Sequence, residues 1–446
     1  MRFYLETLGC PKNTVDAHGM ARLLRRLGHV AIDDPVRAQA LIVNTCGFIA
    51  DARDESVQRL RELAASKHQG QILIAAGCLG QQAGRALMDA VPGVDALLGT
   101  RRWTEIGSLV QELAASQGSG LALLDDPPGD EAEGPRYARQ GASAYLKIAD
   151  GCDAPCAFCA IPMIKGAARS RPAEAVVADA VELVSQGVKE LILIAQDTSA
   201  YGRDRGERDA LPRLLEAILR AVPDGSEAPM PPGLGWLRLM YAYPGHISSR
   251  LVEVMASDPR VCHYVDLPLQ HAHPDVLRRM RRPADVDRTR RLITDLRAAM
   301  PDLALRTTFI LGYPGETEVE FQALMDFVEE MRFDHLGVFG YSPEKGTSAY
   351  ELADRIPEEV IEERYDRLMT LQQGISLEIN QTQVGRRLDV LVEGHGDGLS
   401  VGRSYRDAPE IDGLVLVPGE HPVDEVLPVR ITSALEYDLV GEEVAA

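Results

Sequence analysis

Long hydrophobic runs are missing from this 446-residue chain. The longest, such as LILIA at 191–195, are strand-sized and far short of the roughly 20 residues a membrane helix needs. The opening, MRFYLETLGC, has no basic segment followed by an apolar run, so no secretory leader is expected. Positive charge is also scarce: 47 Lys and Arg stand against 67 Asp and Glu, a net charge of −20. Such a field repels nucleic acid at long range and attracts cationic partners, although it also serves plain solubility. No Gly-rich phosphate loop, Ser/His/Asp arrangement or internal repeat stands out. These absences point to a soluble, cytoplasmic protein without a membrane partner. In that compartment the seven cysteines stay reduced, and packing, reactivity or metal binding must account for them.

Hydrophobic residues make up 45% and charged residues 26% of the chain, as in ordinary globular proteins. The length exceeds one ordinary core, so two or three domains are expected. Three β-rich runs, RFYLETLGC, ALIVNTCG and QILIAAGC, each end at a cysteine and are separated by helix-like stretches. This alternation predicts an α/β domain with a parallel sheet over 1–115. A Gly-, Pro- and acid-rich stretch at 116–141 reads as a linker. A second series follows, with strands expected at 144–150, 190–197, 236–244, 264–270, 305–314 and 336–342. It fits a partial (β/α) barrel over 142–375, with chemistry at the C-terminal strand ends. After a long helix from Pro357, alternating short runs and glycines predict a small antiparallel β-barrel over 376–446.

The strongest chemical signal is Gly151-Cys152-Asp153-Ala154-Pro155-Cys156-Ala157-Phe158-Cys159. Three soft ligands in one tight loop suit three irons of a four-iron cluster and leave the fourth iron open. A structural zinc site is the main alternative. It normally wants four protein ligands, and no fourth cysteine or nearby histidine follows. Cys10, Cys46 and Cys78 are separated by 36 and 32 residues, close to one β–α–β step. Parallel pairing would bring all three to the carboxyl edge of the first sheet, where ligand sites lie. Each also neighbours a glycine, which lets the backbone bend around a bulky group. Three ordinary core cysteines remain the alternative.

The pattern Cys152, Cys156, Phe158, Cys159 resembles the radical S-adenosylmethionine (radical SAM) superfamily, whose loop reads C-x3-C-x2-C with an aromatic residue before the third cysteine. The resemblance implies that the open iron binds S-adenosylmethionine, whose reductive cleavage gives a 5′-deoxyadenosyl radical. Such chemistry suits an unactivated C–H bond, which acid–base catalysis cannot break. With the three N-terminal cysteines and the small C-terminal barrel of TRAM type, the whole chain resembles the methylthiotransferase family. That implies two 4Fe–4S clusters, one on Cys152, Cys156 and Cys159 and an auxiliary one on Cys10, Cys46 and Cys78. It also implies a sulfur donor and an electron donor that the sequence does not identify.

Within the family, TLGCPKNTVD (7–16), CAIPMIKGAARSRP (159–172) and RSYRDAPEIDG (403–413) resemble the branch acting on a ribosomal protein. The transfer-RNA branch has glutamine and methionine where Pro11 and Lys12 stand. The resemblance implies β-methylthiolation of an aspartate in small-subunit ribosomal protein twelve. Lys165 departs from the family's usual arginine and loses a planar, bidentate group; Ala17-His18 is a second departure. Charge gives an independent test. From Gly385 onward five arginines face thirteen acidic residues, a poor surface for phosphates and a better one for a basic protein. A transfer-RNA enzyme and a non-catalytic iron–sulfur or zinc module remain the competing expectations. Weaker signals are Glu316, Gln196 and Asp197, which either line an adenosyl pocket or serve turns and caps. Arg169 and Arg171 would meet a cofactor carboxylate or form surface pairs. His271 and His273 suit a loop role, and Cys262 a packed thiol.

Overall fold

Apolar segments alternating with amphipathic helices build a first, all-parallel sheet. In a computed structural model that describes residues 1–116, 120–125, 134–223 and 233–444, its strands are β1 (Arg2–Thr7), β2 (Val30–Ala31), β3 (Ala40–Thr45), β4 (Ile72–Gly77), β5 (Ala96–Gly99) and β6 (Leu121–Leu123). They lie in the order β2-β1-β3-β4-β5-β6. β3 is buried along its whole length, as a strand covered on both faces must be. Ala40 and Ile42 pack under α1 (Pro11–Arg26), while Leu41 and Val43 pack under α2 (Ala50–Ser66). Strand order reverses between β1 and β3, which opens a crevice at their carboxyl ends.

β7 (Tyr137–Gln140) pairs antiparallel with β8 (Ser143–Lys147). A short hairpin, β9 (Ala149–Asp150) with β10 (Arg169–Ser170), frames the cysteine loop. β11 (Glu190–Ile194) and β12 (Trp236–Leu239) extend β8 in parallel. β13 (Tyr264–Asp266), β14 (Ala304–Leu311) and β15 (His335–Gly340) form a second parallel set. A parallel bridge from Leu237 to Val261 joins the two, giving an open barrel of six parallel strands. Tyr145, Ile192, Ile194, Met240 and Tyr264 fill its lumen.

A helix, Glu358–Gln381, leads into β16 (Arg387–Gly396), β17 (Leu399–Arg403), β18 (Val415–Pro418), β19 (Val426–Ala434) and β20 (Leu439–Glu443). These close into a barrel ordered β16-β17-β18-β20-β19, which leaves no free edge. The barrel seals the amino ends of the parallel strands. Arg403 pairs with Glu190 at 2.7 Å and Arg406 with Asp334 at 2.5 Å, and the Tyr264 hydroxyl donates to Asp412 at 2.6 Å. The first sheet domain covers the opposite, carboxyl end, and its Val15 joins the lumen packing.

Three details differ from the sequence-based expectation. The stretch expected as a linker carries β6 and β7, because its apolar ends extend the neighbouring sheets; 117–119 and 126–133 lie outside the described residues. The first sheet gains β2, β5 and β6, which are too short to leave a clear pattern. Helix Glu358–Gln381 also runs unbroken across the boundary placed at 375/376. Among the described residues, no helix is long and apolar enough to cross a membrane.

Candidate metal centres

Cys10, Cys46 and Cys78 follow β1, β3 and β4, at and beside the crevice where strand order reverses. Cys10 is the N-cap of α1, whose fixed first turn comes from Pro11. Gly9 is at φ +90°, and a Cβ there would stand 2.8 Å from the Cys46 sulfur, so only glycine lets the two loops approach. Asn13 ties the crevice together. Its Nδ2 donates to Leu8 O at 3.0 Å and Thr45 O at 3.2 Å, and its Oδ1 accepts from the Cys78 thiol at 3.5 Å. Ser56 Oγ holds both the N–H and the carbonyl of Cys46 at 3.0 Å.

The second triad sits in the loop after β9. Gly151, at φ +72°, turns the chain where a Cβ would fall 2.0 Å from the Ala167 carbonyl oxygen. Backbone N–H groups point at the sulfurs: Ala154 to Cys152 at 3.4 Å and Ile161 to Cys159 at 3.5 Å. Arg282 approaches Cys156 at 3.7 Å and stacks 4.3 Å from the Tyr243 ring centroid. Beside Cys152 lies a cavity of about 220 Å³, lined among others by Asp197, Arg203, Tyr243 and His246. Asp197 accepts from His246 Nδ1 at 2.8 Å and caps the turn at Ala200.

The two triads are neighbours. Cys78 packs against Ala160 and Ile164, directly after Cys159. Between the domains runs a buried ion network. Lys147 reaches Asp16 at 2.7 Å and Asp150 at 2.6 Å, and Lys165 reaches the same pair at 2.9 and 3.7 Å. Arg136 joins them at 3.5 and 3.4 Å. Burial alone would raise the Asp16 and Asp150 pKa values, but Lys147 and Lys165 outweigh it and hold both carboxyls below their usual range. Lys165 acts here as a point charge shared by two acids, a task that needs no planar fork.

Burial pushes the Cys78 and Cys159 thiols up to about 12 and raises those of Cys46 and Cys152. Such thiols give up their protons to a bound metal rather than to water. Three soft thiolates in each triad suit the irons of an iron–sulfur cluster. Among the described residues, the group of three potential ligands whose donor atoms all lie within 4.8 Å of one another is His273, Asp275 and Glu320. The His273 group is already engaged, because Arg279 pairs with Glu320 at 2.9 Å and His273 caps a helix at Asp275 N.

Comparison with known proteins agrees with this chemistry. Residues 2–99 match the model described as uncharacterized protein family UPF0004, residues 146–328 the radical SAM superfamily, and residues 384–444 the TRAM domain. A ribosomal protein uS12 methylthiotransferase RimO from Roseiflexus sp. (strain RS-1) is 50% identical over 100% of this chain and 98% of its own. One from Chloroflexus aurantiacus is 49% identical with 100% of both covered. The chain belongs to the RimO family. It is therefore a radical SAM methylthiotransferase, and S-adenosylmethionine and 4Fe–4S clusters are the cofactors of that family. The radical S-adenosylmethionine methyltransferase TsrM from Kitasatospora setae shares the fold, with TM-score 0.57 and 14% identity over 90% of this chain and 78% of that one.

The weaker sequence signals separate in this RimO-family structure. Asp197 lines the cavity at Cys152, and Ser170, which lies in the 159–172 segment but had no role of its own in the sequence, joins it. Arg171 is structural, donating to Asp179 at 2.8 Å and Lys147 O at 2.9 Å, while Arg169 is exposed. Glu316 is fully buried and bound by Arg364 at 2.6 Å and the Gly312 N–H at 3.1 Å, so it braces the loop after β14. Cys262 is a packed thiol of the lumen, 2% exposed. His271 is buried, and its Nδ1 accepts from His273 N at 2.9 Å. Burial pushes its pKa down to about 3 from the ordinary 6.5. Its contribution to stability is full above pH 6.5 and is lost as pH falls towards 3, because only the unfolded chain takes up the proton. At pH 5 this amounts to about 2 kcal/mol. His271→Asn keeps an acceptor for His273, so denaturant titrations at pH 7.5 and 5 should show the wild type losing about that much more than the variant.

Proposed function

We propose that Cys152, Cys156 and Cys159 hold the cluster that binds S-adenosylmethionine, that Cys10, Cys46 and Cys78 hold a second cluster, and that the chain methylthiolates an aspartate β-carbon of ribosomal protein uS12 in the cytoplasm. What carries this is the meeting of two cysteine triads from the carboxyl edges of two separate parallel sheets, with Cys78 packed beside the residue after Cys159. When bound, these groups supply one-electron chemistry for a C–H bond with no accessible pKa and sulfur for the new bond. The chain's own part is to hold and enclose them. N–H groups of Ala154 and Ile161 offset charge on the sulfurs, and the buried Asp16–Lys147–Asp150–Lys165 network ties the two domains together.

A basic protein substrate suits the surface. A groove of about 690 Å³ opens between the loop after Cys46 and the carboxyl ends of β14 and β15. Exposed Phe339 and Tyr365 line it together with Asp51, Glu358, Glu362 and Asp366, against Arg355. The transfer-RNA alternative fits less well. Of the small barrel's five arginines, Arg403 and Arg406 are buried against carboxylates, so few remain for phosphates. Anaerobically reconstituted enzyme, given uS12, S-adenosylmethionine, a sulfur source and a reductant, should add one methylthio group to an aspartate-bearing peptide by mass spectrometry. Unmodified uS12 alongside a modified transfer-RNA adenosine would reverse the assignment.

A further inference from the structure

Among the described residues, one lysine near the two triads makes no ion pair. Lys12 lies in the first turn of α1, two residues after Cys10, and is half-buried. Its ammonium sits 3.1 Å from the centroid of the Tyr241 ring. Among the described residues, no carboxylate comes within 4.0 Å of it. Its neighbours cannot serve. Asp16 and Asp150 are shared by Lys147, Lys165 and Arg136, which already outnumber them. Asp266 gives one oxygen to Arg306 at 3.0 Å and the other to the Tyr241 N–H at 3.0 Å. An ammonium removed from bulk water without an anion is costly, and a ligand carboxylate entering beside it would relieve that cost.

The ring under the ammonium is itself held in a demanding conformation. Tyr241 follows the end of β12 at φ +62°, a region that aromatic residues rarely occupy. Asp266 fixes its N–H, and the Thr198 N–H donates to its carbonyl at 3.0 Å. Backbone strain retained this way is characteristic of functional sites. Two residues on, Tyr243 lines the cavity beside Cys152. Lys12 therefore stands between Cys10 and the segment that borders the second triad.

We infer that the Lys12 ammonium binds the side-chain carboxylate of the substrate aspartate and so positions its β-carbon between the two cysteine triads. This rests on the aspartate assignment above. An ion pair on the adjacent carboxyl group fixes the reacting carbon while leaving its C–H bond free, and it distinguishes aspartate from asparagine. Lys12 also lies close enough to Cys10 to act only as a counter-charge for thiolates, and the test must separate the two roles.

The test uses reconstituted full-length enzyme and two fluorescent peptides copying the target loop of uS12, one with the aspartate and one with asparagine in its place. Anisotropy should show the wild type favouring the aspartate peptide. Lys12→Met should weaken aspartate-peptide binding at least about tenfold, leave asparagine-peptide binding unchanged, and raise KM far more than it lowers kcat. Lys12→Arg should restore most of the preference. Iron and sulfide content should stay at the wild-type level; if Lys12→Met loses iron, Lys12→Gln carries the same comparison. Unchanged peptide affinity, or an effect confined to the redox potential of one cluster, overturns the inference. A wild-type enzyme that distinguishes neither peptide and modifies neither removes the aspartate assignment itself, and the role of Lys12 with it.

Discussion

Alanine at Cys152, Cys156 or Cys159 is expected to abolish both 5′-deoxyadenosine release and substrate methylthiolation, whereas alanine at Cys10, Cys46 or Cys78 should abolish methylthiolation alone. The two triads stand on different sheets with separate local supports. Asn13 and Ser56 hold the first, and the turn at Gly151 holds the second. Loss of one thiolate should therefore empty one centre and leave the other loaded, so iron per chain falls by about half in either class. In the first class both activities should reach background, because acid–base groups offer only about 10²- to 10⁴-fold and have no proton to act on. Chromatography of 5′-deoxyadenosine beside mass spectrometry of uS12 reads both activities from one reaction. Cys262→Ala is the control, since that thiol packs in the lumen at 2% exposure and should leave iron content unchanged. If the N-terminal variants lost 5′-deoxyadenosine and the central ones kept it, the roles of the two triads would be exchanged.

The placement of both cysteine triads was legible in the sequence because one residue type recurs at constrained places. The central loop declares itself in eight residues, and the N-terminal cysteines declare themselves through the β–α–β rhythm that puts Cys10, Cys46 and Cys78 at strand ends. The six parallel strands were legible for a similar reason, since LILI and LRTTFIL bury both faces and leave apolar runs. What stayed hidden depends on contacts between distant segments. Asp16 and Lys147 are 131 residues apart, and nothing local says that they meet. A signal was present in AYLKIAD, where Lys147 and Asp150 interrupt a buried strand segment and so require partners. The phrase RSYRDAPEIDG read only as a resemblance. Its Arg403, Arg406 and Asp412 prove to fasten the small barrel to Glu190, Asp334 and Tyr264. Likewise Lys12 was a motif letter until Tyr241 came to lie beneath it.

Asp16→Asn should be among the most destabilising single changes in the chain, costing about 3–5 kcal/mol. The substitution is nearly isosteric, so packing around α1 survives and the effect is electrostatic. Among the described residues, it leaves Lys147 and Lys165 to share Asp150, although Lys147 is fully buried and Lys165 nearly so. A buried ion pair adds little over a matched apolar pair, but breaking one strands its partners without solvent. Against a total stability of about 5–15 kcal/mol, such a loss should be plain in denaturant midpoints. The pH dependence identifies the cause. Lys147 and Lys165 overcome burial and keep the Asp16 carboxyl below its ordinary 3.8, so its stabilisation is full above that value and is lost as pH falls through the lower, folded one. The wild type should therefore lose stability below about pH 4, while the variant, already deprived of this charge, should lose less over the same interval. Because Asp16 belongs to the first domain and Lys147, Asp150 and Lys165 to the second, the variant should also loosen the contact of Cys78 with Ala160. Methylthiolation should then fall further than 5′-deoxyadenosine release, since only the former requires both triads in register. Equal losses in the two activities at full iron content would show that the network serves stability alone.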